Sequence, residues 1–451
     1  MGGGLLQIVA YGAQDVYLTG QPQITFFKVV YRRHTNFALE SIEQTFNGTV
    51  GFGRRVTCTV SRNGDLLTKT YLRVGLPTIS IKDNAGAPGN DEARWVDHVG
   101  HRLIKFVEVE IGGQRIDKHY GEWLHIWNEL TQTAGHAIGY NRMIGHHPMF
   151  QTIATNSSAT PPTHTVMGDT LYIPFCFWFN RNPGLALPLI ALQYHEVKFN
   201  IEFADLVDVC PAAADSANVE MQGDLTASLF VDYVYLDADE RKRFAQVTHE
   251  YLIEQLQFTG SESVGAYGGV GSHKCKLNFN HPVKELIWTV RDGASEDTAT
   301  HGLKGKLAPF NFAIGGGTAD PLGGDVNIAG PGGGSTAMAS LMYGEKNPVR
   351  SALLQLNGHD RFSRRDGMYF NIVQPYQHHE NVPPSGINVY SFALKPEEHQ
   401  PSGSCNMSRI DNAVLQLELE PLPNGGQVSV FATNYNVLRV LSGMGGVAYA
   451  S

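Results

Sequence analysis

Tyr194–Phe203 reads YHEVKFNIEF, and in the second half of the chain Asp411–Glu420 reads DNAVLQLELE. In the first stretch Val197, Phe199, Ile201 and Phe203 alternate with Lys198, Asn200 and Glu202. In the second, Leu415, Leu417 and Leu419 alternate with Gln416, Glu418 and Glu420. A period of two places one set of side chains on each face of a strand, so both stretches predict strands with one buried and one wet face. Each follows a segment bearing Pro and Gly, Pro183-Gly184 in the first case and Pro401-Ser402-Gly403 in the second. Further upstream, EIGGQRI (Glu110–Ile116) and QLNGHDRF (Gln355–Phe362) each place a glycine turn before an arginine. The order is the same in both halves, which predicts two copies of one all-β unit.

The remaining punctuation agrees. The 49 glycines and 22 prolines among 451 residues suit many short strands joined by turns. Strands are predicted at Gln23–Arg32 (QITFFKVVYR), Val56–Val60, Leu66–Val74, Val107–Ile111 and Leu229–Leu236. Arg62-Asn63-Gly64-Asp65 lies between apolar runs and predicts a hairpin. A helix is expected at His119–Leu130, where Trp123, Ile126, Trp127 and Leu130 fall at helical spacing. Asn182–Leu192 carries two prolines, so any helix there is short.

A boundary is marked by Asp237, which can cap a short helix through Arg241, Lys242, Arg243 and Phe244, with Glu240 in the first turn. This divides the chain into an N-terminal segment (1–25), a first unit (26–237), a linker helix (238–250) and a second unit (251–451). The charged linker face reads as solvated rather than as a nucleic-acid contact. Two stretches without apolar period, 135–168 and 293–340, are expected to be long exposed loops on the outside of an assembly. Eight or so strands per unit fit a jelly roll, although an immunoglobulin-like sandwich would share the length and turn signals.

Composition narrows the function. A net charge of −9 gives no basic surface for gripping nucleic acid. Charged residues make up only 17%, which suits a chain whose surface is largely hidden in an assembly. Cys58, Cys176, Cys210, Cys275 and Cys405 are odd in number and far apart, so they are read as reduced thiols. The first residues lack the basic start and apolar core of a signal peptide. Leu6 stands where an N-myristoylation motif has Ser or Thr. No apolar stretch approaches the roughly 20 residues of a spanning helix.

No catalytic set emerges. His195-Glu196 and His249-Glu250 lack the second histidine of a zinc-protease helix, and Gly305-Lys306 is followed by Leu307, without phosphate-loop spacing. The glycine runs 315–317 and 332–334 do not stand between a strand and a helix, and no nucleophile elbow occurs. His146-His147 and His378-His379-Glu380 are the best metal candidates. Adjacent side chains on extended backbone point apart, so these pairs read as structural or surface residues and no metal is expected. Asp237/Asp239 and Glu397/Glu398 lie in polar sequence and read as caps or solvated pairs, since acid–base work needs a cleft. Phe175, Phe177, Trp178 and Phe179 could form a sugar platform, but core packing is the ordinary explanation. Sequons stand at Asn47, Asn156 and Asn406, with Asn156 in an expected exposed loop. No catalytic residue and no cofactor are expected.

The residues also resemble a family. VAYGAQDVYLTG followed by PQITFFK and VYRR, then SRNGDL (Ser61–Leu66), EIGGQRIDKHY (Glu110–Tyr120) and PGLALPLIALQYHEVK (Pro183–Lys198), are similar to major capsid proteins of chlorella viruses and related large nucleocytoplasmic DNA viruses. The likeness continues through HEYLIEQLQFTG (His249–Gly260), FNHP (Phe279–Pro282), QPSG (Gln400–Gly403), SRIDNA (Ser408–Ala413) and NYNVLR…SGMGG (Asn434–Gly446). The resemblance implies a double jelly roll and a structural, non-enzymatic role in the virion. It further implies a homotrimer of pseudo-hexagonal outline that meets neighbouring capsomers and minor capsid proteins. Such trimers tile an icosahedral shell over an internal membrane, assembled in the host cytoplasm or a viral factory, without direct nucleic-acid binding. The other reading is a glycan-binding or glycan-active protein of two jelly rolls, which would need converging carboxylates in a cleft between them.

Overall fold

The structure is a computed structural model that describes residues 12–449 apart from 24–26, 30, 32, 82–91, 148–153, 156–164, 212–218, 294–307 and 315–345. It divides into a unit at Met1–Phe37 and a unit at Ala38–Ser451.

In the first half, eight of the described strands build the two main sheets: β1 (Phe37–Gln44), β2 (Arg55–Thr59), β3 (Leu66–Gly75), β4 (Ile104–Ile111), β5 (Gln114–Tyr120), β6 (Thr170–Pro174), β7 (Val197–Phe203) and β8 (Thr226–Leu236). They form two antiparallel sheets, ordered β1-β8-β3-β6 and β2-β7-β4-β5. The second half supplies β9 (His249–Phe258), β10 (Gly271–Leu277), β11 (Pro282–Asp292), β12 (Val349–Leu356), β13 (His359–Asp360), β14 (Ile387–Ser391), β15 (Ala413–Leu419) and β16 (Gly426–Leu441). Their sheets run β9-β16-β11-β14 and β10-β15-β12-β13. With each half numbered one to eight, both contain 1-8-3-6 facing 2-7-4-5. Two interlocked Greek keys produce that order, and it defines a jelly roll. Strand pairing thus separates the jelly roll from the immunoglobulin-like sandwich, which length and turn signals left open.

Side-chain alternation explains why the strands lie where they do. On β7, Val197, Phe199, Ile201 and Phe203 are buried in the first core, with Phe199 opposite Val109 of β4 and Cys58 of β2. On β15, Ala413, Leu415, Leu417 and Leu419 are buried in the second. Both glycine turns close hairpins. Gly112 and Gly113 take φ of +58° and +85°, and Asn357 and Gly358 take +52° and +80°. Positive φ at both central residues matches the twist of the flanking strands, which is why Gly-Gly and Asn-Gly occupy these positions.

Three expectations need correction. Asn63-Gly64 makes no hairpin, because β2 and β3 lie in opposite sheets. Gly64 is there because its backbone crosses Tyr233 of β8, and a Cβ would stand 2.7 Å from the tyrosine Cβ. Gln23–Arg32 carries no strand at its described positions, and the first strand begins at Phe37. Phe27 and Tyr31 are 98% and 85% exposed, so the alternation there has no core to bury it. Finally, 135–168 is not a plain loop. It holds most of a helix, Ala134–Met143, and short strands at Ala154–Thr155 and Thr165–Val166. That helix buries no residue and leaves Ile138 exposed, so it carries no amphipathic signal. Of 293–340, only Gly293 and residues 308–314 fall within the described part.

The helices that bear on the joint and the linker are α1 (Val99–Leu103), α2 (Gly121–Thr131), α3 (Ala134–Met143) and α4 (Ala238–Gln246). Asp237 caps α4, its carboxylate accepting from the Ala238 N–H at 2.8 Å. The basic face of α4 is engaged in part. Arg241 Nε lies 3.0 Å from the buried Asp65 carboxylate, and Phe244 packs near Leu66 and Val234.

The joint between the rolls and the candidate assembly surfaces

The two rolls are held to one another by a set of contacts that the fold makes between them. These contacts form the joint between the rolls. On α2 the expected stripe Trp123, Ile126, Trp127 and Leu130 is buried, and it packs against Ile287, Ile387, Val389 and Phe431 of the second roll. Phe310 and Phe312 close the same cluster. A helix from one roll thus occupies the outer face of a sheet in the other. This explains why β11 is buried without interruption from Val283 to Val290. Leu286, Trp288 and Val290 fill the second core while Ile287 points into the joint.

Charges are buried beside this apolar joint. Glu254 of β9 pairs with Arg181 and, at 2.7 Å, with Lys284 Nζ, whose side chain is 0% exposed. Lys284 also donates to the Pro396 carbonyl at 2.5 Å, and Arg181 stacks 4.7 Å over the Trp127 ring. Burial alone would raise the Glu254 carboxyl, but Arg181, His399 and Lys284 outweigh it and hold the group far below the usual carboxylate range. A second cluster joins Glu285, His379 and Glu397. The imidazole Nε2 lies 3.1 Å from Glu285 and Nδ1 lies 2.7 Å from Glu397. Burial opposes the His379 charge, yet the two carboxylates push it up to about 9. His119, beside Asp117 at 2.9 Å, is likewise pushed up to about 9 against its burial.

These shifts set a pH profile. His379 and His119 titrate near 9 when folded and about 6.5 when unfolded, so their contribution is complete below about pH 6.5 and is lost as pH rises through 9. Glu254 is held low when folded, so its contribution is present above its unfolded value and is lost as pH falls. Burial holds His98, His101 and His125 well below the ordinary histidine range, so their contribution is lost as pH falls below about 6.5. Denaturant unfolding should therefore be hardest near pH 6.5, with roughly 3 kcal/mol for each of His379 and His119 at stake by pH 10. His379→Gln should flatten the alkaline decline. A parent whose stability rises from pH 6.5 to 9.5 would refute the assignment.

The structure also places the remaining candidates. His379 is committed to two carboxylates and His378 Nδ1 lies 2.9 Å from the Leu394 carbonyl, so His378-His379-Glu380 does not converge on one point. His146 stacks on His98 with ring centroids 3.9 Å apart. Glu397 engages His379 whereas Glu398 pairs with the exposed Lys395. Phe175, Phe177, Trp178 and Phe179 are buried in the first core and offer no sugar platform. Asn47 and Asn406 are exposed, and Asn156 lies outside the described residues. All five cysteines are free.

One cleft between the rolls, about 180 Å³, carries the carboxylates Glu122 and Asp208. Arg102 holds Asp208 at 2.7 Å, while Thr289 donates to Glu122 at 2.8 Å and Arg291 stands 3.7 Å away. Each carboxylate is neutralised by its own arginine, so the pair does not supply the converging acids that glycan chemistry requires. Among the described residues no helix is long and apolar enough to cross a membrane.

Tandem jelly rolls of one strand order, locked by a shared core, define the double-jelly-roll class. Comparison with known proteins gives the family. Residues 25–237 match the family described as "Major capsid protein N-terminus", and residues 240–446 match "Large eukaryotic DNA virus major capsid protein". The major capsid proteins of Pyramimonas orientalis virus and Phaeocystis pouchetii virus are 53% and 51% identical, in both cases over 100% of each chain. A solved structure described as "PBCV-1 virus capsid, quasi-atomic model" superposes with a TM-score of 0.73 at 37% identity, covering 95% of this chain and 100% of that one. The chain belongs to the major capsid protein family of large eukaryotic DNA viruses. It is a structural protein of the icosahedral virion shell, without enzymatic activity.

Proposed function

We propose that three copies form one capsomer whose six jelly rolls approximate a hexagon, and that these trimers tile the shell. The observation that carries this is the identity of strand order in the two rolls, combined with a joint that fixes one to the other. Two like-shaped bodies per chain give a threefold particle a near-sixfold outline, which a hexagonal lattice requires. Lateral contact is expected along the segment bearing Met368, Ile372 and Tyr376, which recur every fourth residue and are 59%, 39% and 78% exposed. Such a trimer should bury on the order of 2,000 Å² or more per contact.

In the same reading the rolls are divided at the linker, as 26–237, 238–250 and 251–451. The N-terminal segment, residues 1–25, acts on the inner side of the shell, where minor capsid proteins and an internal membrane would lie, with assembly in the host cytoplasm or a viral factory. No direct contact with nucleic acid is proposed, in keeping with the net charge of −9. Asn47 and Asn406 meet the exposure that glycan addition requires, and intact mass of virion-derived protein would reveal such additions.

Light scattering after size exclusion tests the capsomer. The expected mass is three times 49.4 kDa at every concentration, and a persistent monomer would overturn the reading. Deleting residues 1–25 should leave trimers intact but impair their assembly into capsids. Capsids that form unchanged from the deleted chain would refute the role of the segment.

A further inference from the structure

Four histidines that are scattered in the chain meet where α1 and α2 approach each other. His98 stands immediately before α1, His101 lies within it, His125 lies on α2, and His146 follows α3. The His98 ring stacks on His146 at 3.9 Å with an interplanar angle of 7°, and meets His125 edge-on at 4.7 Å. His125 is 5% exposed, and its Nδ1 is buried with no hydrogen-bond partner. His146 Nδ1 is likewise buried and unpartnered. Leaving imidazole nitrogens dry and unpaired costs free energy, so several at one point call for an explanation.

Glu129 supplies the missing element. It follows His125 by four residues on α2, which puts both side chains on one face of the helix. One ligand atom from each of His98, His125 and Glu129 lies within 4.8 Å of the other two. We propose that His98, His125 and Glu129 form a binding site for a divalent transition-metal ion of the zinc type, with water completing the shell.

The chemistry of the donors fits. Two imidazoles and a carboxylate are a common protein ligand set for Zn²⁺, at about 2.0–2.2 Å from the metal. Tetrahedral ligand atoms then stand about 3.3 Å apart. The three atoms need to close by at most about 1.5 Å, within the reach of side-chain rotation. Burial, with the neighbouring histidines adding to it, holds His98 and His125 well below the ordinary histidine range. Burial also raises the Glu129 carboxyl, with only the Asn128 side chain acting against it, and a cation would stabilise its charged form.

The backbone suggests selection as well. His98 is held at φ +52°, a left-handed conformation that costs free energy for a residue with a Cβ. A second trio, Glu262, His273 and Cys275, makes a useful contrast. There Glu262 already meets His273 at 3.2 Å, and burial with Glu262 pushes the Cys275 thiol up to about 12, so that group is satisfied without an ion. Phe310 stacks on His125 at 4.6 Å, so an ion here would brace α2 beside the joint.

The test is titration of the chelator-stripped full-length protein with Co²⁺ as a spectroscopic probe, followed by Zn²⁺ competition. One equivalent per chain is expected, with visible d–d absorption of low-symmetry coordination and a thermal midpoint that rises on adding Zn²⁺. Glu129→Gln is nearly isosteric, and His98→Asn tolerates the left-handed backbone. Each should weaken binding at least about tenfold and abolish the thermal shift, while His359→Ala, at an exposed position, should change neither. If either ligand variant fails to fold, the other decides. No saturable binding, or variants that bind as tightly as the parent, would overturn the proposal.

Discussion

Glu254→Ala is expected to lower the unfolding free energy by about 3–5 kcal/mol, among the largest losses available to a single substitution here. The substitution removes the carboxylate paired with the fully buried Lys284, leaving it the Pro396 carbonyl and the field of Glu285, and it strips Arg181 of its carboxylate. Most of the cost is the charge left without its partner rather than the worth of the original pair. A compensating substitution separates the two. Lys284→Met and Arg181→Met combined with Glu254→Leu should recover much of the loss, because apolar groups of similar volume need no counter-ion. Denaturant unfolding of both variants decides the matter. A loss below about 1 kcal/mol for Glu254→Ala, as for an exposed ion pair, would mean that water reaches the group.

Phe431→Ala should cost a similar 3–5 kcal/mol, roughly, by opening a cavity at the joint. The ring is fully buried, stacked on Phe258 at 4.5 Å and tilted against Trp123 at 5.7 Å. Its loss differs in kind from that of a residue inside one roll, since it loosens one roll against the other. The variant should therefore lose trimer yield at temperatures where a Leu417→Ala chain, with its cavity within the second core, still assembles. Equal trimer yields at matched stability would show that the joint does not control assembly.

What the sequence discloses and what it hides depend on the range of the interactions. Val197–Phe203 and Ala413–Leu419 are legible because alternation is local, and so are the turns at Gly112-Gly113 and Asn357-Gly358, where φ is decided by two residues. The stripe on α2 is legible as a helix, though its destination in another roll is not. Asn63-Gly64 misleads because a Greek key sends β2 and β3 to different sheets, and their true partners, β7 and β8, lie far along the chain. The histidine cluster is hidden for the same reason. His98 and His146 reach it from distant positions, and only the four-residue spacing of His125 and Glu129 is local. That spacing lies beside the stronger apolar stripe of Trp123, Ile126, Trp127 and Leu130, which masks it.

The strand β16 has a further consequence. Its Val428, Val430 and Ala432 fill the second roll, its Phe431 fills the joint, and its Leu438 and Val440 belong to the core of the first roll. The ribosome makes these residues after every strand from β1 to β15. The first roll, although synthesised first, stays unsealed until they emerge, so the two halves cannot mature one after the other as independent beads do. An interrupted translation product carries an open hydrophobic seam.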